Sequence, residues 1–93
     1  MRTIRHTSQF KKDYKCEKRG QHRKTLDADL LGVVAQRAND TPLPESNKDH
    51  ALAGEWKDHR DCHIRPDLIL IYRKPDNETL DLVRLGSHSE LSL

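Results

Sequence analysis

Ninety-three residues, 33% hydrophobic and 34% charged, suffice for one domain over residues 1–93 with one modest core, burying roughly 60–65% of the unfolded surface. No stretch approaches the ~18 apolar residues of a membrane span and MRTIRHTSQF has no apolar signal region, so no membrane partner and a cytoplasmic location are expected. The net charge is only +2, and Cys16 and Cys62 are too few for a disulfide framework or a four-thiolate zinc site; two reduced thiols, Cys62 buried, and no cofactor or bound metal are the expectation.

Arg2 to His6 predict a short strand anchored by Ile4. Thr7 or Ser8 can accept hydrogen bonds from the first amides of a helix, and Gly20 can take a left-handed exit conformation. The sequence therefore predicts a helix over 8–19, with Phe10 and Tyr14 toward the core. Lys11, Lys12, Lys15, Lys18 and Arg19 point elsewhere, followed by Arg23 and Lys24. Such a basic face either meets nucleic acid or is a solvated surface, and charge alone leaves both readings open.

Over 22–39, Leu26, Leu30, Val33 and Val34 with Leu31 and Ala38 form an apolar stripe at helical spacing. Asp27 and Asp29 suit the positive end of that helix's dipole and Arg37 the other end. Two helices thus need a sheet to cover. Pro42 and Pro44 stop helical structure, leaving residues 40–53 as a long ordered loop that carries His50.

From Glu55 the period becomes two: Cys62 and Ile64 share one strand face, Asp61, His63 and Arg65 the other. Pro66-Asp67 turns the chain into the apolar run Leu68-Ile69-Leu70-Ile71-Tyr72, a central strand. Lys74-Pro75-Asp76-Asn77 is a second turn, and a last strand from Leu80 to Leu85 leads to Gly86 and His88. Consecutive hairpins bring His63, Asp67 and His88 toward one cleft, and Gly86, lacking a side chain, would let a substrate backbone approach.

The chemistry concentrates in DHALAGEWKDHRDCH, residues 49–63, which holds His50, His59 and His63, three of the six histidines, with the only tryptophan, Trp56. Histidine titrates near neutral pH, so several can divide proton removal and donation between them. Metal-free RNA cleavage needs a base for the ribose 2′-hydroxyl, an acid for the departing 5′-oxygen and cations for the phosphate. Arg84, Arg65, Arg60 and Lys57 are candidates for the last. Each histidine taken alone also reads as a structural or surface residue, and Trp56 and Tyr72 read as core. A metal site is a rival, since His59, Asp61 and His63 alternate onto one strand face near Asp67; their spacing carries no metal signature, and same-face strand residues splay.

With these residues in view, the chain resembles the YafQ branch of the RelE family of bacterial toxins. The resemblance rests on Lys48-Asp49-His50, Leu52, Gly54, Trp56, Arg60-Asp61, His63, Pro66-Asp67, Ile69-Leu70-Ile71-Tyr72 and Arg84-Leu85-Gly86-Ser87-His88. It implies an α/β (α+β) RelE-like toxin fold, two N-terminal helices packed on a small, mainly antiparallel twisted sheet. It implies a ribosome-dependent endoribonuclease that cuts mRNA in the ribosomal A site and is held inactive by a cognate antitoxin. It further implies catalytic roles for His50, His63, Asp67 and His88 with Asp61 in support: His88 as general acid, His50 or His63 as base, Asp67 positioning the site, and Arg84 on the phosphate. By the same resemblance the helix bearing Lys11, Lys12 and Lys15 meets ribosomal RNA.

The sequence departs from the family pattern at Ala51, where proline usually follows the loop histidine, at Leu68, where an aromatic is frequent, and at Ser92, where a phenylalanine usually stands. An aromatic platform contributes about 1–3 kcal/mol per stacked base. Two alternatives accompany this reading, a non-catalytic module binding RNA or an antitoxin and a metal-dependent nuclease.

Overall fold

The structure, a computed structural model, describes residues 2–20, 22–91 and 93. In chain order it contains β1 (Thr3–His6), α1 (Ser8–Glu17), α2 (Leu26–Ala38), β2 (His50–Ala51), β3 (Arg60–Arg65), β4 (Leu68–Arg73) and β5 (Thr79–Gly86), with 3-10 turns at Glu45–Asn47 and Gly54–Trp56. The five strands form one sheet in the order β1-β5-β4-β3-β2. Only β1 runs parallel to its neighbour, β5, while β2–β3, β3–β4 and β4–β5 are antiparallel. The expected α+β arrangement of two helices on a mainly antiparallel sheet is therefore present.

Local chemistry sets most boundaries. Thr7 caps α1, its Oγ1 accepting from the Phe10 amide at 3.0 Å and donating to the Val83 carbonyl at 2.8 Å, so one hydroxyl starts the helix and ties it to β5. The helix ends earlier than the sequence suggested: Lys18 stays right-handed, and Gly20 is not among the residues with positive φ, which are Asp40, Lys48, Asp58 and Gly54. The Gly20 amide closes onto the Glu17 carbonyl at 3.0 Å instead. The second helix starts at Leu26 rather than residue 22, because residues 22–25 form turns.

Phe10, Leu26, Leu30, Val33 and Val34 pack on Cys62, Leu70, Tyr72 and Leu80 to form the core between helices and sheet. Leu31, expected in that stripe, is 70% exposed, because it lies about 100° round the helix from Leu30. It borders an apolar groove of about 610 Å³ between α1, α2 and β1, lined also by Ile4, Phe10, Tyr14 and Leu30.

The run Leu68–Tyr72 is buried on both faces. Its even-numbered members meet the helices, while Ile69 and Ile71 pack with Leu91, Leu52, Trp56 and Val83 on the opposite face. Period-two alternation thus fails for β4, as a strand covered on both sides requires. The segment expected as a loop over 40–53 contains a 3-10 turn and then pairs with the sheet: His50 sits in the edge strand β2, not in a loop. Among the described residues no helix is long and apolar enough to cross a membrane.

Candidate active site

Antiparallel pairing of β2 with β3 sets His50 opposite Asp61. The His50 Nδ1 lies 3.0 Å from Asp61 Oδ1 and 2.8 Å from the Lys48 carbonyl oxygen. A backbone carbonyl only accepts, so Nδ1 carries the proton, and in the neutral ring Nε2 keeps its lone pair. That N–H is aligned on the carbonyl; Asp61 Oδ1, in a residue only 2% exposed, is left without an aligned hydrogen bond although the ring is close. Asp61 therefore acts on His50 through charge more than through a directed bond. Burial pushes its carboxyl above the usual range, an effect opposed by His50, His63 and His88.

Two residues along β3, His63 lies on the same face and is buried. Its backbone carbonyl accepts from Asn47 Nδ2 at 2.7 Å, which ties the 3-10 turn before β2 to the site. The His63 ring stands edge-on to that of His88, with centroids 5.1 Å apart. Burial, then the neighbouring His88, holds the His63 imidazole below its ordinary pKa, so it is neutral at neutral pH. His88 is exposed in the turn after β5. Three of the predicted catalytic residues, His50, His63 and His88, thus gather around a fourth, the buried Asp61 carboxylate.

Asp67 occupies the exposed β3–β4 turn, its Oδ1 3.0 Å from His22 Nε2 in the α1–α2 connection. Sequence reasoning gave His22 no role, because nothing local links it to a turn so far along the chain. The predicted phosphate ligands differ in their engagement. Arg84 donates from Nε to Asp13 of α1 at 2.7 Å, and the Leu85 amide joins the same carboxylate at 3.0 Å. Arg65 pairs with Asp29 at 2.7 Å and Arg60 with Asp49 at 3.2 Å. Lys57, Lys11, Lys12 and Lys15 are exposed.

One expectation is corrected, and one rival reading loses a member. A side chain at Gly86 would meet Glu90 Oε1 at 3.4 Å and Leu91 Cδ2 at 3.6 Å, so the space beside this glycine is filled by the C-terminal turn and is not open to substrate. His59, a member of the rival metal set, packs its ring on Trp56 with centroids 5.4 Å apart and turns Nδ1 to the Lys57 carbonyl at 3.0 Å. Among the described residues no three of His, Cys, Asp and Glu are placed to share a metal ion. Cys62 is buried, as expected, and burial raises its thiol to about 12, far from a reactive thiolate. Ser92, where the family aromatic would stand, lies outside the described residues.

Residues 2–93 match the family model described as the bacterial toxin of type II toxin–antitoxin systems, YafQ. The mRNA interferase toxin YafQ of Escherichia coli K12 is 40% identical over 91 residues, 97% of this chain and 95% of that one. The YafQ chain of the E. coli DinJ–YafQ toxin–antitoxin complex superimposes with a TM-score of 0.78 at 36% identity, covering 97% of this chain and 96% of that one. A metal-bound toxin from Helicobacter pylori aligns with a TM-score of 0.82 at 47% identity, over 98% and 99% of the two chains.

Proposed function

The chain belongs to the YafQ family of type II toxin–antitoxin toxins, and on that premise we propose that it is a ribosome-dependent endoribonuclease of the cytoplasm, cutting mRNA in the ribosomal A site by metal-free acid–base catalysis. The observation that carries this reading is the placement of the His50 ring: its Nδ1 donates to the Lys48 carbonyl beside Asp61, which leaves Nε2 as the nitrogen turned away from these partners on a side chain 56% exposed. An unprotonated nitrogen presented to solvent is what a general base requires.

His50 Nε2 removes the 2′-hydroxyl proton. The 2′-oxygen attacks the adjacent phosphorus, the P–O5′ bond breaks, and His88 gives its proton to the leaving 5′-oxygen, so the products are a 2′,3′-cyclic phosphate and a 5′-hydroxyl end. His63, held neutral by burial, is poorly suited to donate, which leaves the acid role to His88. Asp61 stabilises the imidazolium that forms on His50, through a field that low-dielectric surroundings strengthen. Asp67 positions the far end of the site from its turn. Arg84, Arg65, Arg60 and Lys57 supply positive charge to the phosphate, and Lys11, Lys12 and Lys15 meet ribosomal RNA.

A cognate antitoxin, in the role DinJ has for the E. coli protein, completes the partners. The groove around exposed Leu31, rimmed by Lys11 and Lys15, is apolar surface of the kind a protein partner covers.

Primer-extension mapping of one defined mRNA, with and without translating ribosomes, tests the reading. Cuts at codon positions only in the presence of ribosomes, ending in a cyclic phosphate and lost in His88→Ala, are expected. Cleavage of naked RNA would indicate a free nuclease, and no cleavage in any lane a binding module. Because a Helicobacter pylori relative was solved with metal, a chelator arm with intact ribosomes accompanies it; unchanged cutting is expected there.

A further inference from the structure

β2 is two residues long, and pairing that short holds a strand weakly by itself. The residue before it is held far more strongly. The Asp49 carboxylate receives Arg37 Nη1 at 2.6 Å on Oδ2, and the Tyr72 hydroxyl at 2.7 Å and Arg60 Nε at 3.2 Å on Oδ1. Arg37 also donates to the Thr41 carbonyl, at the start of the same connection. Donors from α2, β3 and β4 thus converge on one carboxylate whose chain neighbour is His50.

Neutralising Arg37, whose side chain is 9% exposed, is one account of this network. Yet well-packed apolar side chains often replace a buried ion pair without loss of stability. What they lack is directionality, and three directed bonds fix both the location and the orientation of the backbone at residue 49.

We propose that Asp49 is a positioning residue for His50: clamped by Arg37, Tyr72 and Arg60, it sets the backbone so that the His50 Nδ1–H meets the Lys48 carbonyl beside Asp61 and Nε2 faces the substrate. The inference rests on the reading of His50 as general base. It adds a role for Asp49, Arg37 and Tyr72, which lie beneath the site, and a second one for Arg60 at its edge. Burial and the Asp49 carboxylate push the Tyr72 phenol up to about 12, so this donor remains protonated wherever the histidines work.

Asp49→Asn keeps the shape but loses the charge and turns one acceptor into a donor facing Arg37. Tyr72→Phe removes one donor and keeps the buried ring. With programmed ribosomes, kcat for mRNA cleavage should fall at least ~10-fold in Asp49→Asn and less in Tyr72→Phe, with KM within about twofold of wild type. A second readout needs no RNA: ¹H–¹⁵N correlation of the imidazole nitrogens in the purified protein should show the Nδ1–H tautomer of His50 in wild type and a mixture in both variants.

Wild-type kcat and an unchanged tautomer, even with a lowered melting temperature, would reduce Asp49 to a structural residue and overturn the proposal. If Asp49→Asn does not fold, the Tyr72→Phe readouts decide in the same way. A displaced tautomer in a protein whose cleavage survives His50→Ala upholds the positioning and overturns the base assignment instead.

Discussion

His50 and His63 stand on neighbouring strands within reach of the same carboxylate, yet their surroundings differ. His50 is exposed and donates through Nδ1, while His63 is buried and held neutral. Removing the proposed acid by His88→Ala should lower ribosome-dependent cleavage about 10²–10⁴-fold while leaving ribosome binding and the melting temperature near wild type. Asp61 costs the fold stability, being a buried carboxyl whose Oδ1 lacks an aligned donor. Asp61→Asn should therefore raise stability by roughly 0.5–1 kcal/mol, a shift of about 2–8 °C in a domain of this size, and depress cleavage. A lower melting temperature in that variant would show that the charge contributes to the fold as well as to the chemistry.

Single side chains also decide how the elements join. Thr7 both caps α1 and bonds the Val83 carbonyl, where the β4–β5 register shifts and skips residue 83. Loss of both bonds in Thr7→Ala should cost about 1–2 kcal/mol in denaturant unfolding, more than a cap alone typically contributes. Asp49→Ala, which strands buried Arg37 without its counter-ion, should cost about 3–5 kcal/mol. At the helix pair, Leu31→Asp leaves the core intact because Leu31 is exposed. It should weaken antitoxin binding in a pull-down with the cognate partner while leaving ribosome-dependent cleavage unchanged.

For the molecule as a whole, pH acts through groups with opposite signs. His63 has a folded pKa held below the ordinary 6.5, so the unfolded chain binds more protons there; its contribution is complete above about that pH and is lost as pH falls through 6.5 toward the folded value. Asp81, held below the ordinary 3.8 chiefly by the hydrogen bond from Arg5, adds a contribution present above 3.8 and lost in stronger acid. Glu17 and Asp61, raised by burial, work the other way, since folding takes up protons there. Melting curves should thus decline from pH 7 toward 5.5, and His63→Gln should flatten that first decline while leaving the acid limb of Asp81.

The sequence by itself determined the type of nearly every element and supplied the candidate residues of the proposed site. Capping hydroxyls, prolines, apolar spacing and the change of period at Glu55 are local signals, and local backbone and burial preferences answer to them. It also offered His50, Asp61, His63, Asp67 and His88 as the catalytic candidates, of which the fold brings all but Asp67 together. Only the tertiary structure decided that His50 is an edge-strand residue opposite Asp61, which ring nitrogen carries its proton, that Leu31 stays outside the core, and that the space beside Gly86 is filled by Glu90 and Leu91. The reason is one of range. The bonds that hold the site cross 11, 12 and 23 residues between Asp49 and Arg60, Arg37 and Tyr72, and such partners are chosen by how the helices and sheet pack, which no local pattern records.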